Sequence, residues 1–126
     1  MKGLRPLLFL NLCAAALYAQ GEAYLVDNAR PQVSVVDLAS RRVSAAISTG
    51  NESSEILILP NNRFAFVSNQ LDNNVAVLDL QTRARVTTIP TGRSPGPMAL
   101  TPDGRFLYVG NEDSNEIGRA SCRERV

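Results

Sequence analysis

Residues Pro60 to Asn74, PNNRFAFVSNQLDNN, return 42 residues later as Pro102 to Glu116, PDGRFLYVGNEDSNE. A fixed-period self-match constrains a chain more than any local signal does. Each copy must be one supersecondary unit that buries its faces against the next copy. The matched pairs are Pro60/Pro102, Arg63/Arg105, Phe64/Phe106, Phe66/Tyr108, Val67/Val109 and Asn69/Asn111. The same offset carries Val33 to Val75, Val35 to Val77, Asp37 to Asp79, Leu38 to Leu80, Ile47 to Ile89, Thr49 to Thr91 and Gly50 to Gly92. An offset of 41 aligns Val26-Asp27-Asn28 with Val67-Ser68-Asn69, so the first copy is expected to be one residue shorter in the turn that follows.

Inside each copy the signal is short strands. The first copy predicts Tyr24 to Asp27, Gln32 to Leu38, Arg42 to Ser48 and Glu55 to Leu59. The second predicts Phe64 to Ser68, Val75 to Leu80, Ala84 to Ile89 and Met98 to Leu100, and Phe106 to Gly110 opens a third. Breakers separate them at Asn28 to Pro31, Ala39 to Arg41, Gly50 to Ser54 and Pro60 to Asn62. No sustained 3.6-residue period follows the leader, so no long helix is expected. Four strands per 42 residues, joined by tight turns, is the spacing of a propeller blade. Val75-Ala76-Val77-Leu78 has no polar position, as a strand covered on both faces requires, whereas a sheet with one wet face alternates. Arg83-Ala84-Arg85-Val86-Thr87 alternates with charge and belongs nearer an outer rim. In Pro102-Asp103-Gly104-Arg105, proline fixes φ and Asp-Gly accepts the left-handed angles of a tight hairpin; Asn61-Asn62 stands there in the preceding copy.

Both ends depart from this pattern. Met1 to Ala19 reads as a secretory signal peptide: Lys2 and Arg5 form a positive start, and the apolar run Leu7 to Leu17 is too short to span a bilayer. It implies a periplasmic or secreted protein without a membrane span after cleavage. Ile117 to Val126, IGRASCRERV, matches the repeat only at its first residue and is what a common sequencing adapter reads as when translated in one frame. We therefore divide the chain into leader 1–19, repeats 20–116 and adapter-derived tail 117–126. Without the leader and tail, eight basic and eleven acidic residues remain, a net charge of −3 rather than +1. A mildly acidic domain without a basic stripe is a poor nucleic-acid binder. The two cysteines, Cys13 and Cys122, lie in the leader and the tail, which leaves no disulfide framework or thiolate metal site in the repeats. The chain has no histidine, and so lacks the commonest general base, metal ligand and haem axial ligand.

The polar residues that recur are expected to be structural. Asn28, Asn69 and Asn111 recur at strand ends, where their side chains satisfy turn backbone; Asp37 and Asp79 recur with the repeat and are expected to make strand-end hydrogen bonds. Asp72-Asn73-Asn74 and Glu112-Asp113-Ser114-Asn115 are oxygen-rich, but lack the central glycine and terminal glutamate of a twelve-residue calcium loop. Asn51-Glu52-Ser53 fits a glycosylation sequon. Gly92 to Pro97 has no Lys-Ser/Thr after its glycines and is not a phosphate loop. Arg41, Arg42, Arg83 and Arg85 read as solvated rim charges. No nucleophile–base–orienter set exists, so no catalytic, cofactor-binding or metal residue is assigned and no cofactor is expected.

The strings Phe66-Val67-Ser68-Asn69 and Tyr108-Val109-Gly110-Asn111, each preceded by Pro-(Asp/Asn)-(Gly/Asn)-Arg, resemble the YVTN-type β-propeller repeat. Asn74 to Leu80 and Ile89-Pro90-Thr91-Gly92 extend the resemblance over Tyr24 to Asn115. Ser53-Ser54-Glu55-Ile56-Leu57 departs from it where Pro95-Gly96-Pro97 follows it. The resemblance implies an all-β fold: about two four-stranded antiparallel blades plus the first strand of a third, from a ring that usually has seven. It implies a binding or interaction platform for an unknown protein or small molecule, with any ligand at the central channel. The alternative is an enzyme on the same fold, since lactonases and the haem-binding propellers of denitrification look similar at repeat level. Open blade faces further predict self-association.

Overall fold

The computed structural model describes the backbone of residues 16–19 and the chain from 21 to 122. It contains eleven strands and one short 3-10 turn, and no helix is long and apolar enough to cross a membrane among the described residues. The strands are β1 (Ala16–Ala19), β2 (Glu22–Val26), β3 (Gln32–Asp37), β4 (Arg42–Ser48), β5 (Ser53–Ile58), β6 (Phe64–Asn69), β7 (Asn74–Asp79), β8 (Ala84–Pro90), β9 (Pro95–Leu100), β10 (Phe106–Asn111) and β11 (Glu116–Ser121). They form three antiparallel meanders, β1-β2-β3-β4, β5-β6-β7-β8 and β9-β10-β11. The fold is that of a β-propeller segment.

Every strand expected between residues 24 and 110 is present, most within one or two residues of its expected bounds. The grouping differs. The strand at 53–58, counted by sequence as the last of one copy, hydrogen-bonds forward to β6 and is the first strand of the second sheet. The sequence repeat therefore straddles two sheets, because a period fixes the length of a unit and leaves its starting point free. Two strands lie outside the expected set. β1 falls in the segment read as leader, where Ala16 to Ala19 pair with Leu25 to Glu22. β11 falls at and beyond Glu116, where Glu116 to Ser121 pair with Asn111 to Phe106. The rest of the leader, residues 1–15, together with residue 20 and the tail residues 123–126, lies outside the described residues.

The backbone repeats more faithfully than the side chains. Left-handed φ angles fall at Arg41 and Arg83, Glu52 and Ser94, Asn62 and Gly104, Asn73 and Asn115, each pair 42 apart. The bulge at Val35/Val36 returns at Val77/Leu78. The offset of 42 also holds in β2: Tyr24 pairs with Val35 as Phe66 pairs with Val77. The expected one-residue shortening is therefore absent. Asp27, rather than Asn28, occupies the position of Asn69. The local identity of Val26-Asp27-Asn28 with Val67-Ser68-Asn69 outscored the register set by five cross-strand pairs.

The sheets stack face to face with a hydrophobic layer in each gap. Between the first and second lie Tyr24, Val26, Val33, Val35 and Ile47 against Ile56, Ala65, Val67, Ala76, Leu78 and Leu80. Between the second and third lie Phe66, Val75, Val77 and Ile89 against Met98, Leu107 and Val109. Successive residues of β6 and β7 thus enter opposite layers, which is why these strands have no polar alternation. The outermost strands β4 and β8 are largely exposed, as their arginine alternation predicts.

Candidate active site

Several of the polar residues singled out in the sequence hold the scaffold. Asp79 Oδ1 accepts from the Gln81 and Thr82 backbone N–H groups, and its Oδ2 accepts from Arg63. Burial pushes this carboxyl up, but those bonds outweigh it and hold it below the usual range. Asp37 does the same at its turn, accepting from Ala39 N–H and Ser40 Oγ. Asn69 is fully buried; its Oδ1 accepts from Ser53 Oγ at 2.8 Å and its Nδ2 donates to Asn74 Oδ1 at 2.8 Å. Ser53 Oγ also shares a bond with Thr49 Oγ1. Asp72 accepts from the Asn51 backbone and side chain at 2.8 and 3.0 Å, and those bonds hold its carboxyl low. A Cβ on Gly50 would lie 2.6 Å from the Asn69 amide and 2.7 Å from Asp72 Oδ2, so this corner closes only around glycine. Of the rim arginines, Arg83 is half-buried and pairs with Glu22, and Arg85 donates to the Thr49 carbonyl.

Other polar side chains line an open groove, with Ser54 Oγ sharing a bond with Ser68 Oγ at 2.9 Å. Ser54, Glu55 and Gln70 of the second sheet face Gly96, Pro97 and Glu112 of the third across a groove of about 330 Å³. The groove opens where the first strand of each sheet begins, beside the turns that follow β6 and β10. Its walls come from the segments where two copies differ most: Ser53-Ser54-Glu55 in one, Pro95-Gly96-Pro97 in the next. Glu55 Oε2 accepts from the Met98 backbone N–H at 2.6 Å, which ties one carboxylate across the gap. Glu112 lies against Gly96, and a Cβ there would collide with its Oε1. Two carboxylates thus face one groove, one tethered and one exposed. This is the equipment of acid–base chemistry on a small polar substrate. Glu55 was not singled out by sequence, and Glu112 was read only as turn chemistry. The signal that could have found them is failure to recur: Glu55 aligns with Pro97, and Glu112 with Gln70. Among the described residues no group of three or more acidic, cysteine or histidine side chains is arranged to hold a metal ion.

The family described as Lactonase, 7-bladed beta-propeller, matches residues 22–122, which spans all three sheets. No curated protein matches the sequence. Among solved structures, hydrazine synthase of Kuenenia stuttgartiensis superposes with a TM-score of 0.79 at 20% identity, covering 83% of this chain and 30% of that one. A candidate 6-phosphogluconolactonase from Bacteroides fragilis gives 0.76 at 22%, covering 85% and 34%. The dihydro-heme d1 dehydrogenase NirN gives 0.73 at 19%, covering 83% and 23%. The chain therefore spans only 23–34% of these relatives' length. These findings overturn the platform reading and favour the enzyme alternative. The chain has no histidine and its repeats show no complete catalytic set in sequence, but an active site assembled from several sheets leaves no such set in one segment.

Proposed function

Because this chain belongs to the lactonase, 7-bladed beta-propeller family, we propose that it is part of an exported hydrolase that opens a cyclic ester of a sugar-like acid. The observation that carries the reading is a family match that spans all three sheets, residues 22–122. The candidate 6-phosphogluconolactonase among the structural relatives supports the substrate class. The leader, with its short apolar run behind Lys2 and Arg5, supports a periplasmic or secreted site of action. The YVTN-type repeat is the finer classification within the same architecture, supported by Phe66-Val67-Ser68-Asn69 and Tyr108-Val109-Gly110-Asn111.

Lactone hydrolysis adds water to a carbonyl carbon and expels the ring oxygen, giving a hydroxy acid. The step needs a group that takes the proton of the attacking water and donors that face the oxyanion. In this segment Glu112 is the proton acceptor, because it is exposed to the groove. Glu55 is the positioning residue, because the Met98 N–H holds it in place. Gln70 and Ser54 supply donors on the opposite wall. The remaining sheets of a seven-bladed ring complete the site around the channel.

The test is proton release from aldonic δ-lactones by the full protein, followed at constant pH. Glu112→Gln should lower kcat/KM by about 100-fold or more, the ordinary contribution of a general base. Glu55→Gln should raise KM more than it lowers kcat. No hydrolysis above the buffer rate by the wild type would remove the functional assignment. Full activity in both variants would move the chemistry away from this groove.

A further inference from the structure

A second cavity, of about 480 Å³, opens between the first and second sheets at the opposite ends of their strands. It is lined by Glu22 and Tyr24 of β2, by Asn62 and Arg63 of the turn before β6, and by Gln81 and Arg83 of the turn before β8. We propose that this cavity binds a small oxyanion, a carboxylate or phosphate, through Arg83 and the amides of Asn62 and Gln81.

Three observations carry this. The first is that the cavity breaks the repeat. At the position of Glu22 the next two copies have Phe64 and Phe106, each beneath a preceding arginine whose guanidinium lies 5.0 and 5.7 Å from the ring centroid. In the first copy that arginine and ring give way to Gly21 and Glu22, and a polar cavity stands where an arginine–aromatic stack would. Scaffold features here recur every 42 residues, and this one does not.

The second is which hydrogen-bonding groups remain free. The carboxylates around the cavity are committed: Glu22 Oε1 accepts from Arg83, Glu22 Oε2 from the Tyr24 hydroxyl, and Asp79 Oδ2 from Arg63. Arg83 uses Nη2 for Glu22, while its Nη1 is shielded from water and has no partner. A buried N–H left unpaired is costly, so the site favours a guest that brings acceptors. The spare capacity of the lining is in donors, which selects an oxyanion over a cation. The third is placement. Asn62 and Arg83 both hold left-handed backbone, at φ 55 and 59, so each donor is carried on a tight turn. Arginine suits this task because its planar fork meets two oxygens of one carboxylate or phosphate at once.

The inference does not rest on the lactonase reading, since this cavity and the groove between Glu55 and Glu112 lie at opposite ends of the second sheet. The experiment is isothermal titration of the full protein with inorganic phosphate and, separately, citrate, at low ionic strength. Binding of either with Kd near ~1 mM or tighter is expected, and the arm that binds identifies the source of the oxyanion. Arg83→Met should weaken binding at least tenfold. Gln81→Ala, on an exposed turn, should weaken it about threefold with the fold undisturbed. Glu22→Gln should retain binding or tighten it, because it releases Nη2. Absence of heat with both ions, or equal affinity in the wild type and both Arg83→Met and Gln81→Ala, would overturn the proposal.

Discussion

The second and third sheets share one backbone plan and differ at the start of their first strands. In the second sheet Ser53 joins Thr49 to Asn69, Asn69 joins Asn74, and Asp72 holds Asn51, so the polar corner is fully bonded. The third sheet has Thr91, Pro95, Asn111, Arg93 and Ser114 at the corresponding positions. Pro95 has no hydroxyl to offer, and both Asn111 Oδ1 and Ser114 Oγ are buried without a partner. The same departure places Gly96 where Glu112 needs room and so forms one wall of the groove. A repeat protein can lose a polar corner in one unit because neighbouring units still bury the hydrophobic layers. The sacrificed unit is then free to carry chemistry.

The sharpest test of the shared plan is Phe66 against its counterpart Tyr108. Phe66 is fully buried between the second and third sheets, whereas Tyr108 is 39% exposed. Phe66→Ala should cost about 3–5 kcal/mol, the usual range for a buried aromatic truncation. Tyr108→Ala should cost no more than about 1 kcal/mol, since its exposed area contributes little. Urea unfolding measures both. Equal losses would mean that the third sheet's far face is covered in solution.

The two strand-end asparagines come next. Asn69→Ala removes an acceptor for Ser53 and a donor for Asn74, and should cost about 1–3 kcal/mol. Asn111→Ala removes an oxygen that has no partner, and should change stability by about 0.5 kcal/mol or less. A large loss in the second variant would show that an ordered water satisfies Asn111.

This contrast marks what was legible in the sequence. The period, the strands and the doubly buried character of Val75 to Leu78 could be read because unbroken apolar runs and turn residues are local signals. The structural duty of Asp79 could be read because recurrence identifies it. The phase of the repeat could not, since nothing in a period says which strand opens a sheet; only the pairing of Ser53 to Ile58 with β6 does. The groove was hidden for a related reason. Its carboxylates are 57 residues apart and meet only because consecutive sheets stack. Neither has a histidine or nucleophile beside it in sequence to announce it.

A smaller effect separates the two corners by pH. Hydrogen bonds from Asn51 hold the folded Asp72 carboxyl below its ordinary value of 3.8. Its contribution is therefore present above the unfolded value and is lost as pH falls through the folded one, because the unfolded chain takes up the proton first. Asp72→Ser copies Ser114 and should lower stability at neutral pH while leaving it nearly unchanged well below the folded value, so that the acid limb of the stability curve flattens. An unaltered acid limb would assign acid sensitivity to Glu22 instead, whose carboxyl is held low by Arg83.

The smallest effect has the opposite sign. Pro95→Ser restores to the third sheet the residue found at Ser53, and with it a donor facing Asn111 Oδ1. A neutral hydrogen bond at a buried, previously unpaired acceptor adds about 1 kcal/mol. Removing proline restores freedom to the unfolded chain and subtracts about 0.4–1 kcal/mol. The net gain should be a few tenths of a kcal/mol, so the informative readout is local: amide exchange at Asn111 and Glu112 should slow. Since Gly96 and Glu112 follow from that corner, the variant should also shift KM for the lactone while kcat stays close to the wild type. Faster exchange at Asn111 would mean that proline's rigidity, rather than a missing donor, is what this position needs, and that the open corner is the cost of fixing the groove wall.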